Sequence, residues 1–275
     1  TPSTEVLIQA AERNAKDPSF KFIQSEDELA AANAVIGASL AGAKSFTATS
    51  GPGFSLMQET IGYAHQLEVP AVFMNVQRVG PATGMPTRPA QHDIMQVKYG
   101  SSGDYYPLAF YPNSVEECYR YAVISFNAAE ESMSPVIFLG DAFLSHMYEV
   151  FDPDTIEVDV VPRQIPPLGS GKRTFTGLTH DENLSPRTAE AAIFKQWHEK
   201  VKAKHEQVAA RYAHYEFSGN TKSDTLLIAY GITSRVVSPL KSDFAIFRPI
   251  RIFPFLGEAI KKYAKDYKNI VVVEA

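Results

Sequence analysis

Short and almost entirely apolar runs alternate with helical patterns along most of the chain. Two such runs are residues 71–76 (AVFMNV) and 135–140 (PVIFLG), and between them apolar residues recur at helical spacing over 115–126. Strands that are apolar on both faces are typical of parallel sheets covered by helices on both sides. The alternation therefore predicts an α/β fold built on a parallel sheet with right-handed crossovers.

A change in composition near residue 161 divides the chain of 275 residues. Residues 1–160 carry the first α/β pattern. Residues 161–217 begin rich in proline and glycine and then become helical, which predicts a linker and a helical connection. Residues 218–275 carry a second, smaller α/β pattern, and its last run, 269–275, has the composition of a buried strand. Because the chain opens in a helix and closes on this strand, we expect a trimmed piece of a longer polypeptide.

The composition excludes several classes of protein. Hydrophobic residues make up 45% of the chain, and the net charge of −5 is spread along it, so the concentrated basic face that nucleic acid requires is missing. No apolar run approaches the roughly 20 residues that a membrane span needs. The single cysteine, Cys118, excludes an internal disulfide and fits a cytoplasmic protein. It also excludes an iron–sulfur cluster held by this chain alone, since that needs about four thiolates.

A Gly-Pro-Gly turn stands where the strand pattern of residues 45–50 stops and a helical pattern begins. The turn follows Ser50 and consists of Gly51, Pro52 and Gly53. It lacks the Lys-Ser/Thr pair of a P-loop and the third glycine of a dinucleotide fingerprint. Taken alone, it favours an ordinary strand-to-helix turn over a ligand-binding loop, although such a turn also suits a close approach of backbone to another group.

Glu28 lies at the start of a helical pattern rich in alanine and glycine. Ser25, three residues before it, completes the Ser-x-x-Glu spacing of a capping box, which by itself would account for the glutamate. The alternative is a carboxylate held at the mouth of a buried interface. We expect the helix to begin with this capping box.

The loop over residues 75–93 is polar, long and stiffened by prolines. Arg78 follows directly after an apolar run, at the carboxyl end of a predicted parallel strand, where open α/β sheets bind ligands. Thr83 and Arg88 follow in the same loop. Two arginines and a hydroxyl suit a carboxylate ligand, because guanidinium binds carboxylate through two parallel hydrogen bonds. Surface ion pairs are the equally open alternative, and we predict no metal site in this chain.

In combination and in this order, these motifs resemble the α subunit of 2-oxoacid:ferredoxin oxidoreductases, most closely the 2-oxoglutarate branch. Thr1 and Pro2 resemble the end of that family's Tyr-Pro-Ile-Thr-Pro motif. The resemblance is strong over residues 1–160 and looser at 224–235 and 247–255. It implies a thiamine diphosphate pyrimidine-binding domain over 1–160 and a transketolase-C-terminal-like α/β domain over 218–275.

The resemblance also implies how the cofactors are shared. Ser50, Gly51, Pro52 and Gly53 would form the pyrimidine half of a thiamine diphosphate site, and Glu28 would hydrogen-bond the aminopyrimidine ring. A partner β subunit would hold the diphosphate, its Mg²⁺ and a [4Fe-4S] cluster. The missing phosphate-binding motif and the single cysteine in this chain agree with that division.

For the substrate, the resemblance implies that Thr1, Arg78 and Thr83 line the 2-oxoacid pocket. Arg78 would bind the 1-carboxylate and Thr1 the reacting end of the substrate, so Glu28, Thr1 and Arg78 form the expected catalytic set. Arg88 would meet the distal carboxylate of 2-oxoglutarate.

The function implied is oxidative decarboxylation of 2-oxoglutarate with coenzyme A, which yields succinyl-CoA, CO2 and reduced ferredoxin in a reversible reaction. The expected assembly is (αβ)2. Pyruvate or a branched-chain 2-oxoacid is the alternative substrate, and a non-catalytic α/β assembly module is the alternative of another class.

Overall fold

The computed structural model describes residues 3–163, 165–171 and 173–275. In this part of the chain the strands are, in order, β1 (Phe46–Thr49), β2 (Ala71–Gln77), β3 (Leu108–Phe110), β4 (Pro135–Asp141), β5 (Tyr215–Gly219), β6 (Thr225–Ala229), β7 (Ala245–Pro249), β8 (Arg251–Phe253) and β9 (Asn269–Val273). The α-helices are α1 (Thr4–Lys16), α2 (Glu28–Leu40), α3 (Pro52–Leu56), α4 (Gln58–Gln66), α5 (Ile94–Tyr99), α6 (Val115–Ser132), α7 (Ala142–Ser145), α8 (Ala191–Arg211), α9 (Gly231–Val237) and α10 (Gly257–Ala264).

The first sheet has the order β1-β2-β4-β3-β8, and its first four strands run parallel. β4 is buried along its whole length, and β2 is buried except at half-buried Met74. Apolar residues of α2, α3 and α4 pack on one face of the sheet, and those of α6 and α8 pack on the other. The predicted α/β fold with a mostly parallel sheet is therefore confirmed.

The second sheet has the order β5-β7-β6-β9, in which β6, β7 and β9 are parallel and β5 is antiparallel to β7. β8 does not join it. Although it follows β7 after one residue, β8 pairs antiparallel with β3 and so completes the first sheet. Residues 218–275 thus contribute to both sheets, and the boundaries 1–160, 161–217 and 218–275 stay a prediction.

One sequence expectation about β9 is wrong. The run at 269–275 was expected to be a buried strand, but residues 269–272 are exposed and only Val273 is half-buried. The reason is its place at the edge of the second sheet, where it pairs with β6 alone. Ile270 and Val272 expose half or more of their surface. An apolar composition therefore identified the strand correctly but not its burial.

The described residues between 161 and 190 form neither helix nor strand, as the sequence predicts. They lie against the first sheet's helices through polar contacts. Arg163 forms a largely buried ion pair with Glu130 at 2.8 Å, and the Leu168 amide donates to the Leu40 carbonyl at 2.8 Å. The linker is thus an integral part of the first α/β layer and leads into α8, which packs on it.

Candidate active site

The Gly-Pro-Gly turn follows the carboxyl end of β1. Gly51 has φ 64° and ψ −122°, a conformation that side chains with a Cβ rarely adopt. Pro52 is the first residue of α3, where its fixed φ and its missing N–H cost nothing. The local sequence therefore forces an abrupt change from strand to helix at this point.

Two candidate functional side chains, Glu28 and Arg78, lie against the glycines of the turn. A Cβ on Gly53 would stand 2.5 Å from Cγ and 2.6 Å from Cδ of Glu28, and it would also collide with Oγ1 of Thr49. A Cβ on Gly51 would stand 2.6 Å from Nε of Arg78. Both glycines are therefore required because side chains approach the backbone too closely for any larger residue. The turn is the element that brings Glu28 and Arg78 to one place.

Glu28 is the first residue of α2, and the capping box expected with Ser25 is wrong. Asp27 caps the helix instead: its extended backbone lets Oδ1 accept from the Ala30 amide at 2.7 Å. Glu28 therefore stands at N1 rather than N3, and its carboxyl is not used in a capping box. It is half-buried and faces a cleft of about 500 Å³, called here the Glu28 cleft. This cleft is lined by α1, residues 22–28, Ala31, Thr47, Ala48 and Met57.

Arg78 follows directly after β2 and is 5% exposed. Its Nε has no hydrogen-bond partner among the described groups, although its charge helps to lower the pKa of the nearby Asp93 carboxyl. A buried donor without an acceptor is costly, so the site is suited to an anion. Arg78 lines a second cleft of about 540 Å³, called here the Arg78 cleft, together with Gly51, Pro52, Ser55, Gly80, Pro81, Ala82, His92, Asp93 and Gln96.

Asp93 is held at the Arg78 cleft by Asn75 of β2, whose Nδ2 donates to Oδ2 of Asp93 at 3.0 Å. Burial raises the pKa of the Asp93 carboxyl, while the Asn75 hydrogen bond and the charges of His92 and Arg78 lower it. Asp93 is thus a partly buried acid beside a buried cation. Asn75 is fully buried within an apolar strand, and this one polar residue in the run AVFMNV is the signal that sequence reasoning passed over.

Of the other predicted site residues, Thr83 and Arg88 lie away from this centre, whereas Ser50 directly precedes the turn. Thr83 and Arg88 are exposed and line neither cleft, because the loop folds into a turn in which Val79 pairs with Met85. Ser50 is buried, and its Oγ has no partner among the described groups. Thr1 lies outside the described residues.

The comparisons with known proteins identify the family. Residues 1–216 match the family described as pyruvate flavodoxin/ferredoxin oxidoreductase, thiamine diphosphate-binding. The chain belongs to this family. The predicted family resemblance is therefore confirmed.

Among its relatives, the chain is 36% identical to 2-oxoglutarate synthase subunit KorA of Methanocaldococcus jannaschii, with 100% of this chain and 81% of the relative covered. It is 39% identical to the KorA subunit of Archaeoglobus fulgidus, with 100% and 80% covered. It is 34% identical to ketoisovalerate oxidoreductase subunit VorB of Methanothermobacter marburgensis, with 100% and 78% covered.

A solved structure is also similar. It is a 2-oxoglutarate:ferredoxin oxidoreductase from Magnetococcus marinus with 2-oxoglutarate, coenzyme A and succinyl-CoA bound, and it matches with a TM-score of 0.89 and 28% identity. The match covers all of this chain and 53% of that chain, so the oxidoreductase subunit described here spans about half the length of its structural relative.

The residues around the turn fit a thiamine diphosphate pyrimidine ring. The gap kept open at Gly53 lets the Glu28 carboxyl lie against the turn, and the Glu28 cleft is lined largely by apolar groups such as Met57 and Ala48. A planar, largely apolar ring with polar nitrogens at one edge matches that combination.

Two further properties concern the described residues. Across 3–163, 165–171 and 173–275, no cluster of three or more His, Cys, Asp or Glu side chains is placed to hold a metal ion. In the same ranges, no helix combines the length and the apolar character that crossing a membrane requires.

Proposed function

We propose that this chain is the α subunit of a 2-oxoglutarate:ferredoxin oxidoreductase, which converts 2-oxoglutarate and coenzyme A to succinyl-CoA and CO2 and reduces ferredoxin. The observation that carries the proposal is the close approach of a carboxylate, Glu28, and of a buried arginine, Arg78, to one glycine turn, with Nε of Arg78 left without a hydrogen-bond partner among the described groups. The matches to 2-oxoglutarate synthase subunits, which cover 100% of this chain and 80–81% of those relatives, support the choice of substrate.

In this proposal Glu28 holds the pyrimidine ring of thiamine diphosphate. The cofactor supplies a nucleophilic carbon and an electron sink for decarboxylation. Glu28 donates or accepts the proton at the ring nitrogen that faces it, and Gly53 lets the carboxyl approach the turn closely enough to do so. Ser50, Gly51 and Pro52 shape the backbone beside the ring.

Arg78 binds the 1-carboxylate of the 2-oxoacid. Its side chain is buried and its Nε lacks an acceptor among the described groups, so the substrate carboxylate supplies that acceptor. A charge-assisted contact of this kind contributes about 1.5–3 kcal/mol, which is about tenfold to over a hundredfold in affinity. Thr1, Thr83 and Arg88 are assigned to the substrate pocket by family resemblance alone.

The remaining parts of the reaction belong to partners in this proposal. A β subunit binds the diphosphate with Mg²⁺ and carries a [4Fe-4S] cluster, and two αβ pairs assemble as (αβ)2. The relatives' names, which describe subunits, support a multi-subunit enzyme. We place the complex in the cytoplasm, a reducing compartment that suits a chain with one cysteine.

Substitution of Glu28 tests the proposal. In the complex reconstituted with its partner subunits, Glu28→Gln is expected to abolish decarboxylation of 2-oxoglutarate, because an amide cannot exchange a proton with the ring. The fold is expected to persist, since Asp27 rather than Glu28 caps α2. Activity assays and thermal unfolding measure the two effects separately. Full activity of Glu28→Gln would remove the cofactor assignment.

The choice of substrate is tested at Arg88. The VorB relatives keep a branched-chain 2-oxoacid open as an alternative, beside pyruvate. If Arg88 meets the distal carboxylate in the assembled enzyme, Arg88→Met lowers kcat/KM for 2-oxoglutarate about tenfold or more and spares pyruvate. Arg78→Lys is the matched control: it lowers kcat/KM for both substrates alike, because both carry the 1-carboxylate. Equal losses for Arg88→Met would exclude Arg88 from substrate selection.

A non-catalytic assembly module is the remaining alternative. The purified complex distinguishes it directly, since an enzyme of the proposed kind contains thiamine diphosphate and iron. A complex that contains neither would favour the assembly module.

A further inference from the structure

Gln91 makes a set of hydrogen bonds that the proposed chemistry does not use. It is 5% exposed. Its side-chain Nε2 donates to the Tyr230 carbonyl at 3.0 Å. Its Oε1 accepts from the Ala275 amide at 3.0 Å and from the Thr233 hydroxyl at 3.2 Å. Its own amide donates to the Ala275 carbonyl at 2.8 Å. All of these partners belong to the C-terminal α/β unit.

These partners lie at the carboxyl end of the second sheet. Tyr230 follows β6 and stands directly before α9, in which Thr233 lies, and Ala275 comes two residues after β9. The Thr233 hydroxyl also donates to the Tyr230 carbonyl at 2.7 Å, so the Gln91 amide fits into a turn that is already ordered. Gln91 therefore links the loop after β2, through hydrogen bonds, to the carboxyl ends of β6 and β9 in the second sheet.

Two residues further on, Asp93 is fastened to the first sheet. The Asn75 amide of β2 donates to its carboxylate, and Asp93 and His92 both line the Arg78 cleft. Residues 91–93 thus form a strap, tied at Gln91 to the second sheet and at Asp93 to the first. Part of the wall of the Arg78 cleft is therefore formed by this strap.

We infer that Gln91 is a positioning residue: through it, the C-terminal α/β unit fixes His92 and Asp93 at the cleft where Arg78 binds the 2-oxoacid carboxylate. The inference rests on the proposed function for the identity of the ligand. Without the Gln91 side chain, residues 91–93 keep only the backbone bond to Ala275 at that end. His92 and the backbone of Asp93 are then held less firmly at the Arg78 cleft, although Asn75 still bonds the Asp93 carboxylate. Such loosening alters how well an anion binds in the cleft more than it alters the chemistry at the cofactor.

The test uses Gln91→Leu in the complex with its partner subunits. Leucine has a similar size and removes both polar side-chain atoms. We expect KM for 2-oxoglutarate to rise about tenfold, the equivalent of one buried hydrogen bond, with kcat changed less than about threefold. We also expect hydrogen exchange over residues 79–93 to accelerate about tenfold. The exchange measurement needs no turnover, so it tests the strap even if the complex proves inactive toward 2-oxoacids.

Tyr121→Phe is the matched control. The Tyr121 hydroxyl bonds Nδ1 of His214 at 3.1 Å and so joins α6 to the residue directly before β5 of the second sheet, but Tyr121 lines neither cleft. Loss of the Tyr121 hydroxyl is expected to lower Tm without changing KM or the hydrogen exchange of residues 79–93.

If Gln91→Leu does not fold, Thr233→Val removes one hydrogen bond of the Gln91 set and is expected to give a smaller rise in KM and in exchange rate. The inference is overturned if both measurements stay within twofold of the wild type, or if Tyr121→Phe changes them equally.

Discussion

Gly53 and Gly37 are both helical glycines, yet their surroundings predict opposite effects of a single methyl group. A Cβ at Gly53 would overlap Thr49 and the Glu28 carboxyl, whereas nothing lies within 4 Å of a Cβ at Gly37. Gly53→Ala is therefore expected to push Glu28 aside and to lower activity of the complex about tenfold or more, with an overpacking cost of about 1–3 kcal/mol. Gly37→Ala is expected to stabilise α2 by about 1 kcal/mol. Denaturant unfolding and activity assays compare the two variants, and an active, stable Gly53→Ala protein would contradict this account.

The sequence predicted the glycine turn and the position of Arg78, but not what the turn approaches. Gly51, Pro52 and Gly53 indicate a tight strand-to-helix change by their own conformational preferences. Their contacts with Glu28 and Arg78 depend on the pairing of β1 with β2 and on the packing of α2. Such long-range contacts leave no local pattern. For the same reason Gln91 carried no signal, since its partners follow it by well over a hundred positions in the chain.

At the level of elements, the start of α2 shows where local patterns compete. The Ser25/Glu28 spacing and the Asp27-Glu28 pair each satisfy a known N-terminal signature. The structure uses the second, because Asp27 has the extended backbone that a capping residue needs and Ser25 lies outside the helix. A sequence pattern therefore predicted that a helix begins here but not which residue caps it.

This choice of cap gives a prediction for the stability of the helix. Asp27→Ala removes the acceptor of the Ala30 amide and is expected to lower the free energy of unfolding by about 0.5–2 kcal/mol. Ser25→Ala is expected to change it by less than about 0.5 kcal/mol, as for a substitution away from a cap. Urea unfolding of both variants measures the difference. A larger loss in the free energy of unfolding for Ser25→Ala than for Asp27→Ala would show that Ser25, not Asp27, caps the helix.

At the scale of the whole molecule, α8 is held on the first α/β layer by a cluster of buried histidine and aromatic side chains. His205 of α8 stands 5.0 Å, ring centre to ring centre, from His65 of α4. Nδ1 of His65 bonds the Ser134 hydroxyl at 2.9 Å, while its Nε2 and both ring nitrogens of His205 have no partner among the described groups. Alternation of strands and helices predicted the layers correctly, but no local pattern predicts that these histidines are buried.

The cluster predicts that the protein loses stability in acid. Burial lowers the pKa of His65 to about 4, with the Lys204 charge adding to the effect, and burial beside His65 lowers that of His205 to about 3. Both rings are neutral in the folded state, whereas the unfolded chain takes up protons below about pH 6.5. The stability from this source is therefore fully present above pH 6.5 and is lost as the pH falls from there toward 4 and then 3. Each pKa unit corresponds to about 1.4 kcal/mol, so a loss of a few kcal/mol is expected by pH 4.

His205→Phe keeps a ring in the cluster and removes one titrating group, and its Tm should fall less steeply between pH 6.5 and 4 than that of the wild type. His180→Gln, outside the cluster, is the control and should follow the wild type. Parallel Tm curves for the wild type and His205→Phe would show that the buried histidines do not set the acid stability.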